Sequence, residues 1–247
     1  MLSEIRKISS LLLSVAFSSI GFIASITVTV LAAREVSSNP LFVGFPNAVG
    51  VGGAVLGTRM IYLISKNNSQ LNALAFTFLI GAFGGAIMFY SLIVDSFVML
   101  LFGAFILGIG QSATLQTRYA ASFVASEKFK ATALSLAVWF SVFGSVFGPR
   151  MVGSYSNFFE NIFNSELIVG YVIALVGMLF AASSLFIFTS KKSILRSPSN
   201  LESESNNQNS NKKNGNLLSL LLVLNHFTMV VIMLSLIHIS EPTRPIR

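Results

Sequence analysis

Several uncharged polar side chains stand inside long apolar stretches of this sequence. Asn47, Gln111 and Thr114 are the clearest examples, since each is flanked mainly by apolar or small residues. An amide or hydroxyl in hydrocarbon needs a hydrogen-bond partner, because an unsatisfied polar group there is costly. Asn47 and Gln111 can each bond to a neighbouring helix or line a water-filled cavity, and the sequence leaves both options open. Thr114, one turn from Gln111, belongs to the same candidate pathway.

Charged and titratable residues near the ends of the apolar stretches form a second group of candidates. Arg59 and Arg118 are either gate residues or anchors whose charged heads reach the membrane interface. Arg150 either meets an anionic substrate or a facing carboxylate, or reaches the interface in the same way. His226 is a candidate proton carrier, although a lone histidine is a weak signal. No Asp or Glu falls within a predicted membrane core, so proton coupling needs His226, a group beyond this sequence, or competition at an arginine.

One segment combines spaced glycines with a proline, in the pattern Gly144-x-x-x-Gly148-Pro149-x-x-x-Gly153. Glycines at this spacing allow another helix to approach closely. Pro149 cannot donate a hydrogen bond to the carbonyl one turn earlier, near Ser145. The segment therefore predicts a bend or pivot, with the helix broken near its end; a packing kink without a mobile role is the alternative.

The composition of the chain indicates which secondary-structure elements carry these residues. The chain is 53% hydrophobic and 10% charged, whereas a soluble domain carries about 25% charged residues. The apolar residues come in blocks of about 20, the length that spans a bilayer. These features predict an all-α polytopic membrane protein embedded in a lipid bilayer. The chain has no cysteine, which excludes disulfides and thiolate metal sites, and we expect no metal, no cofactor and no catalytic residue.

Six apolar runs make up the first part of the chain, residues 1–190. The second and third runs carry small-residue faces for close helix packing, at Gly81-x-x-x-Gly85 on the third run and, on the second, at Gly44, Gly50, Gly52, Gly53 and Gly57. Asp95 marks a turn, and a polar loop is predicted between the fifth and sixth runs. The predicted spans are about 8–33, 40–65, 71–94, 97–120, 131–153 and 167–189.

The remainder of the chain has a different character. Residues 191–216 are rich in Ser, Asn and charge and predict a flexible linker. A seventh apolar run covers 217–233 and reads as a truncated transmembrane helix. Leu234–Arg244 spells LSLIHISEPTR, which resembles the in-frame translation of a sequencing-library adapter. We therefore expect 234–247 to be a non-native tail and the native chain to be a fragment.

The distribution of basic residues predicts the orientation in the membrane. With the N-terminus in the cytoplasm, twelve basic residues flank the cytoplasmic ends of the runs and two flank the opposite ends. Cytoplasmic loops of membrane proteins carry such an excess of Lys and Arg. The N-terminus and the linker are thus predicted to be cytoplasmic. This placement also explains the net charge of +7 without a nucleic-acid partner.

Six runs, a basic linker and a new run after it resemble the major facilitator superfamily. Gly144-x-x-x-Gly148-Pro149-x-x-Val152-Gly153 resembles that family's fifth-helix motif GxxxGPxxGG, which is associated with exporters. Gly108-x-Gly110 resembles the glycine part of the fourth-helix motif RxxQGxG, without its arginine and glutamine. Gly57 and Lys66 keep only the ends of the loop motif GxxxDxxGRR. Further matches, at Arg118-Tyr119-Ala120-Ala121 and Met229-Val230-Val231-Ile232-Met233, resemble a bacterial drug-efflux-like branch.

The resemblance implies a fold and a mechanism. It implies the N-terminal six-helix bundle, built from two inverted three-helix repeats, of a twelve-helix transporter whose second half is missing here. The implied function is export of a small-molecule substrate across the inner membrane by alternating access, with a proton as a candidate coupling ion. The alternatives are a non-transporting membrane component and a membrane-embedded lipid-modifying enzyme, which would need clustered acids, histidines or serine–lysine pairs at one membrane face.

Overall fold

The structure is a computed structural model, and it describes residues 2–37, 42–67, 69–126, 129–163 and 165–188. All of these fall in the first of two compact units, Met1–Ser197, and none falls in the second, Pro198–Arg247. The predicted linker, the seventh run with His226 and the adapter-like tail therefore lie outside the described residues.

The described residues fold into six α-helices, each long and apolar enough to cross a membrane by length and composition. The prediction of an all-helical fold with six spans is thus confirmed. The helices are α1 (Leu2–Val36), α2 (Phe45–Asn67), α3 (Gln70–Ile93), α4 (Phe97–Val124), α5 (Lys130–Phe163) and α6 (Ile168–Phe188).

Helix α5 differs most from its predicted extent. It runs through Pro149 to Phe163, so the predicted break near Gly153 and most of the predicted polar loop were wrong. A proline removes one hydrogen bond, which a long helix can tolerate when its continuation is packed. Here Phe159 and Phe163 stack with centroids 6.2 Å apart. Phe163 also meets Phe89 of α3 edge-on at 5.4 Å, and these rings stabilise the added turns.

The other helix ends differ less from the prediction. Helix α2 begins at Phe45 rather than at Pro40, which lies outside the described residues. Helices α1 and α4 extend to Val36 and Val124, a few residues beyond their predicted ends.

The turn between α3 and α4 confirms the expectation for Asp95. Its φ of 52° lies in the left-handed region, which Asp tolerates better than most residues. The Ser96 amide then donates to the Ser91 carbonyl at 3.0 Å. The Ser96 hydroxyl accepts from the Met99 amide at 3.4 Å and caps α4. These contacts reverse the chain tightly, so α3 and α4 pack side by side.

Glycines bring the backbones of neighbouring helices into contact with α4. Gly108 of α4 faces Gly50 of α2, and a methyl group at Gly108 would overlap the Gly50 carbonyl. Gly110 faces Gly81 of α3, where an added methyl would lie 2.6 Å from the Gly81 Cα. Gly85, the second glycine of the predicted face on α3, instead meets Leu175 of α6. Helix α4 is therefore held against α2 and α3 at distances that only glycine permits.

Helices α2 and α5 are the least covered of the six. Only 22% of the α2 span and 28% of the α5 span are buried, against 50–56% for the other four. The large apolar side chains on their open faces include Val51, Val55, Leu56, Trp139, Val146 and Phe158. Much of the surface of α2 and α5 is thus open to lipid or to further helices.

Replacing Gly108 with valine should destabilise the bundle, because the added side chain would force α2 away from α4. Overpacking of this kind typically costs about 1–3 kcal/mol. Gly52→Val is the matched control, since nothing lies within 4 Å of a Cβ added at Gly52. Thermal unfolding in detergent should show a lower Tm for Gly108→Val only. Equal Tm values for the two variants would contradict the close contact.

Candidate functional site

A cavity of about 230 Å³ lies between α1, α2 and α4, with Met88 of α3 at its wall. Asn47 of α2 and Gln111 of α4 both line it. The structure therefore brings together two residues that lie far apart in the sequence, and it places both at a cavity. The rest of the lining is mainly apolar or small: Phe22, Ile26, Pro46, Gly50, Val51, Ala104, Leu107 and Gly108.

Two hydroxyls of α1 also line the cavity, but both are bonded within their own helix. Ser25 Oγ donates to the Phe22 carbonyl at 2.7 Å. Thr29 Oγ1 donates to the Ser25 carbonyl at 2.7 Å. From α6, the fully buried Tyr171 donates its hydroxyl to Thr29 Oγ1 at 3.5 Å. This chain of bonds fixes the α1 wall of the cavity.

Sequence reasoning missed Tyr171 and Ser25 as part of this wall. The available signal was the spacing of Ser25 and Thr29, which puts two hydroxyls one turn apart on one helix face. Nothing in the sequence indicated that Tyr171 would meet them, because that contact depends on how α6 packs against α1.

The amides of Asn47 and Gln111 are the cavity's main recognition groups. Each can donate two hydrogen bonds and accept at its carbonyl oxygen. Among the described residues, none that lines the cavity carries a charge. The arrangement thus suits a hydrogen-bonding group on a solute with an apolar body. Its volume lies below the roughly 300–1,000 Å³ of pockets that hold drug-sized ligands.

Thr114 and Arg118 lie further along α4 and do not line the cavity. Thr114 is 3% exposed, and its hydroxyl has no hydrogen-bond partner. Arg118 is half-buried, and its Nε is likewise buried without a partner. These two groups therefore keep unused hydrogen-bonding capacity inside the bundle.

Arg59 and Arg150 stand apart from the cavity. Both are exposed, Arg59 on α2 and Arg150 on α5, and neither lines it. A pathway role for Arg150 would therefore require a wall that the described residues do not supply.

Gly144 and Gly148 of α5 face α1. A methyl group at Gly144 would lie 2.5 Å from the Cβ of Ser19, and one at Gly148 would lie 3.1 Å from the Ala24 amide nitrogen. Pro149 and Gly153 are exposed, and nothing lies within 4 Å of a Cβ added at Gly153. The two glycines thus make a close helix contact, and its partner is α1 of the same bundle.

Acidic residues gather at one end of the helices. Glu35 at the end of α1 lies within electrostatic range of Asp95 and Glu166. Within the described ranges, no three acidic or histidine side chains are close enough to hold a metal ion. The three carboxylates therefore mark one end of the bundle, the end where α4 begins.

Cysteine accessibility can test whether the cavity holds water. The chain contains no cysteine, so Asn47→Cys and Gln111→Cys each introduce one reactive group. A charged methanethiosulfonate reagent attacks the thiolate, which requires water. Both variants should react at least about tenfold faster than Phe102→Cys, which is exposed on another face of α4. Equal rates, followed by mass spectrometry, would show that the cavity is dry.

Comparison with known proteins points to one class. The chain is 29% identical over 175 residues to the uncharacterized MFS-type transporter YdeG of Bacillus subtilis (strain 168), a match covering 71% of this chain and 41% of that protein. It is 29% identical over 183 residues to the uncharacterized MFS-type transporter YddS of the same strain, covering 74% and 42%. No family model and no solved structure matches the chain. The chain is thus similar to MFS-type transporters, and it spans about two fifths of the length of the curated relatives it matches.

Proposed function

We propose that this chain is the N-terminal part of a secondary transporter of the major facilitator type, which exports a small molecule across the inner membrane by alternating access. Six membrane-length helices and the similarity to MFS-type transporters support this assignment. The same similarity favours a transporter over an enzyme. The drug-efflux-like motifs noted above support export rather than uptake.

The observation that carries the proposal is the cavity lined by Asn47 and Gln111. Amides inside a membrane bundle are retained where they bond to a neighbouring helix or face water. Here they face an open space between three spans. The cavity is small because it has a single six-helix wall, and a second bundle facing it would complete the site.

The proposed orientation follows from charge. Basic residues flank the ends of the runs predicted to be cytoplasmic, whereas Glu35, Asp95 and Glu166 gather at the other end. We place the N-terminus and the linker in the cytoplasm and the acidic end outside. Arg59 and Arg118 then lie toward the inner side, where they act as gate residues or as anchors. A proton that drives transport would bind at His226, bind at a group in the second bundle, or act through competition at an arginine.

Helix α5 contributes to the movement in two ways. Gly144 and Gly148 fix it to α1, so α1 and α5 move together. Pro149 leaves the carbonyl near Ser145 without its helical hydrogen bond, and its own ring is exposed. We assign Pro149 to a flexible point on the surface of α5 that faces the second bundle.

Alternating access predicts that Gln111 can be reached from both sides of the membrane. In the complete reading frame carrying Gln111→Cys, a membrane-impermeant thiol reagent should label the cysteine in right-side-out and in inside-out vesicles. A cysteine at Arg59 is the control, and it should be labelled from one side only. Labelling of Gln111→Cys from a single side, with the control behaving as expected, would contradict alternating access. This test does not require the substrate to be known.

Replacing both Gly148 and Pro149 with leucine should slow transport while leaving membrane insertion intact, and the structure separates the two contributions. Pro149→Leu should slow the rate at which Gln111→Cys alternates between exposure to one side of the membrane and exposure to the other. It should not lower Tm, because the proline is exposed and leucine restores the missing hydrogen bond. Gly148→Leu should also lower Tm, because its side chain meets the α1 backbone. An unchanged exchange rate in Pro149→Leu would remove the flexible point from the mechanism.

A further inference from the structure

Helix α4 carries two unsatisfied polar atoms one turn apart. They are the Oγ1 of Thr114 and the Nε of Arg118, and both are buried without a hydrogen-bond partner in the described part of the chain. A spacing of four residues puts the two side chains on the same face of the helix, one above the other. The two unpaired atoms therefore form one candidate site on that face.

The other hydroxyls of α4 do not show this behaviour. Ser112 Oγ donates to the Ile109 carbonyl at 2.7 Å, and Thr117 Oγ1 donates to the Ala113 carbonyl at 2.7 Å. Such bonds are the usual way in which a helical hydroxyl is satisfied in an apolar environment. Thr114 makes no such bond although it is 3% exposed, so its hydroxyl is free to bind something else.

The charge of Arg118 restricts what that partner can be. A guanidinium is permanently protonated and offers only donors, so its partner must supply acceptor oxygens. Asp95 precedes the first turn of α4, about 30 Å from Arg118 along the helix axis. Glu35 interacts electrostatically with both Asp95 and Glu166, so Glu35 and Glu166 belong to that far end. These three carboxylates therefore lie at the opposite end of α4 from Arg118.

We propose that Thr114 and Arg118 bind the carboxylate of a small organic acid. The Nε–H and one terminal N–H of a guanidinium match the two oxygens of a carboxylate, and the Thr114 hydroxyl adds a third hydrogen bond. One guanidinium balances one carboxylate, whereas a phosphate dianion would keep an excess charge. The match in geometry and charge favours the carboxylate.

The position of this pair connects it to the cavity. Gln111, which lines the cavity, lies one turn from Thr114 and about 10 Å along the axis from Arg118. An organic acid could place its apolar part against Phe22, Ile26 and Met88 and later pass its carboxylate to Arg118. That the acid is the transported cargo rests on the proposed transport function. The chemical class of that cargo is then a small organic acid.

Binding can be measured on the 247-residue chain in a neutral detergent, with its single tryptophan, Trp139, as the fluorescent reporter of thermal unfolding. Benzoate should raise Tm at constant ionic strength, and the neutral isostere benzamide should not. Arg118→Gln should weaken the apparent benzoate affinity at least about tenfold, and Thr114→Val about threefold. The apparent benzoate affinity of Arg118→Lys should lie between those of the parent and Arg118→Gln, because lysine keeps the charge but loses the paired N–H donors of the guanidinium.

Two controls keep the result interpretable. Arg34→Gln removes the same charge from an exposed position and should leave the benzoate response unchanged. Without ligand, Arg118→Gln should melt no lower than the parent, because it removes an unpaired buried charge. A response to benzoate that is equal in the parent and in Arg118→Gln, or absent from both, would overturn the proposal.

Other sources of an oxyanion give different outcomes. A lipid headgroup is one such source. It would be indicated if phosphatidylglycerol nanodiscs raised Tm above that in phosphatidylcholine nanodiscs, only when Arg118 is present, and benzoate had no effect. This result would overturn the proposal. A carboxylate within the protein is another source. It would be indicated if the protein expressed from the complete reading frame did not bind benzoate, and this result would also overturn the proposal. Benzoate binding without two-sided labelling of Gln111→Cys would instead contradict the transport function and leave the carboxylate site standing.

Discussion

The close contact of helix backbones at glycines is the constraint on which the rest of this structure depends. Between helices in a bilayer there is little hydrophobic driving force, so association relies on packing and on polar bonds between helices. Gly108 against Gly50 and Gly110 against Gly81 bring two neighbours directly onto α4. On the far side of the bundle, Gly144 brings α5 onto α1 in the same way.

These contacts decide where the polar residues lie. Because Gly108 fixes α2 against α4, Asn47 near the start of α2 and Gln111 near the middle of α4 meet at one cavity. The long-range bond from Tyr171 to Thr29 fixes the opposite wall. Thr114 and Arg118 lie further toward the C-terminal end of the same helix, where their buried atoms have no partner among the described residues. The polar path along α4 is thus a consequence of glycine packing on its neighbouring faces.

The sequence was sufficient for the number and type of the helices, since blocks of about 20 apolar residues have few other interpretations in a chain this poor in charge. It was insufficient where an outcome depends on contacts between distant segments. The extension of α5 past Gly153 relies on Phe163 meeting Phe89 of α3. The spacing of Gly144 and Gly148 predicted a close contact, but it could not say that the partner would be α1.

In the proposed mechanism, glycine contacts hold α1–α4, α6 and the part of α5 before Pro149 as one rigid unit that moves against a second wall. Spin labels at Arg59 on α2 and Ser135 on α5 report directly on this rigidity. These two helices are the least buried, and they are attached to the bundle through α4 and α1 respectively. Double electron–electron resonance on the complete protein should give a single narrow distance that does not change between inward-open and outward-open conditions. A distance that splits or shifts between those conditions would show that the helices move relative to one another, and it would contradict the account.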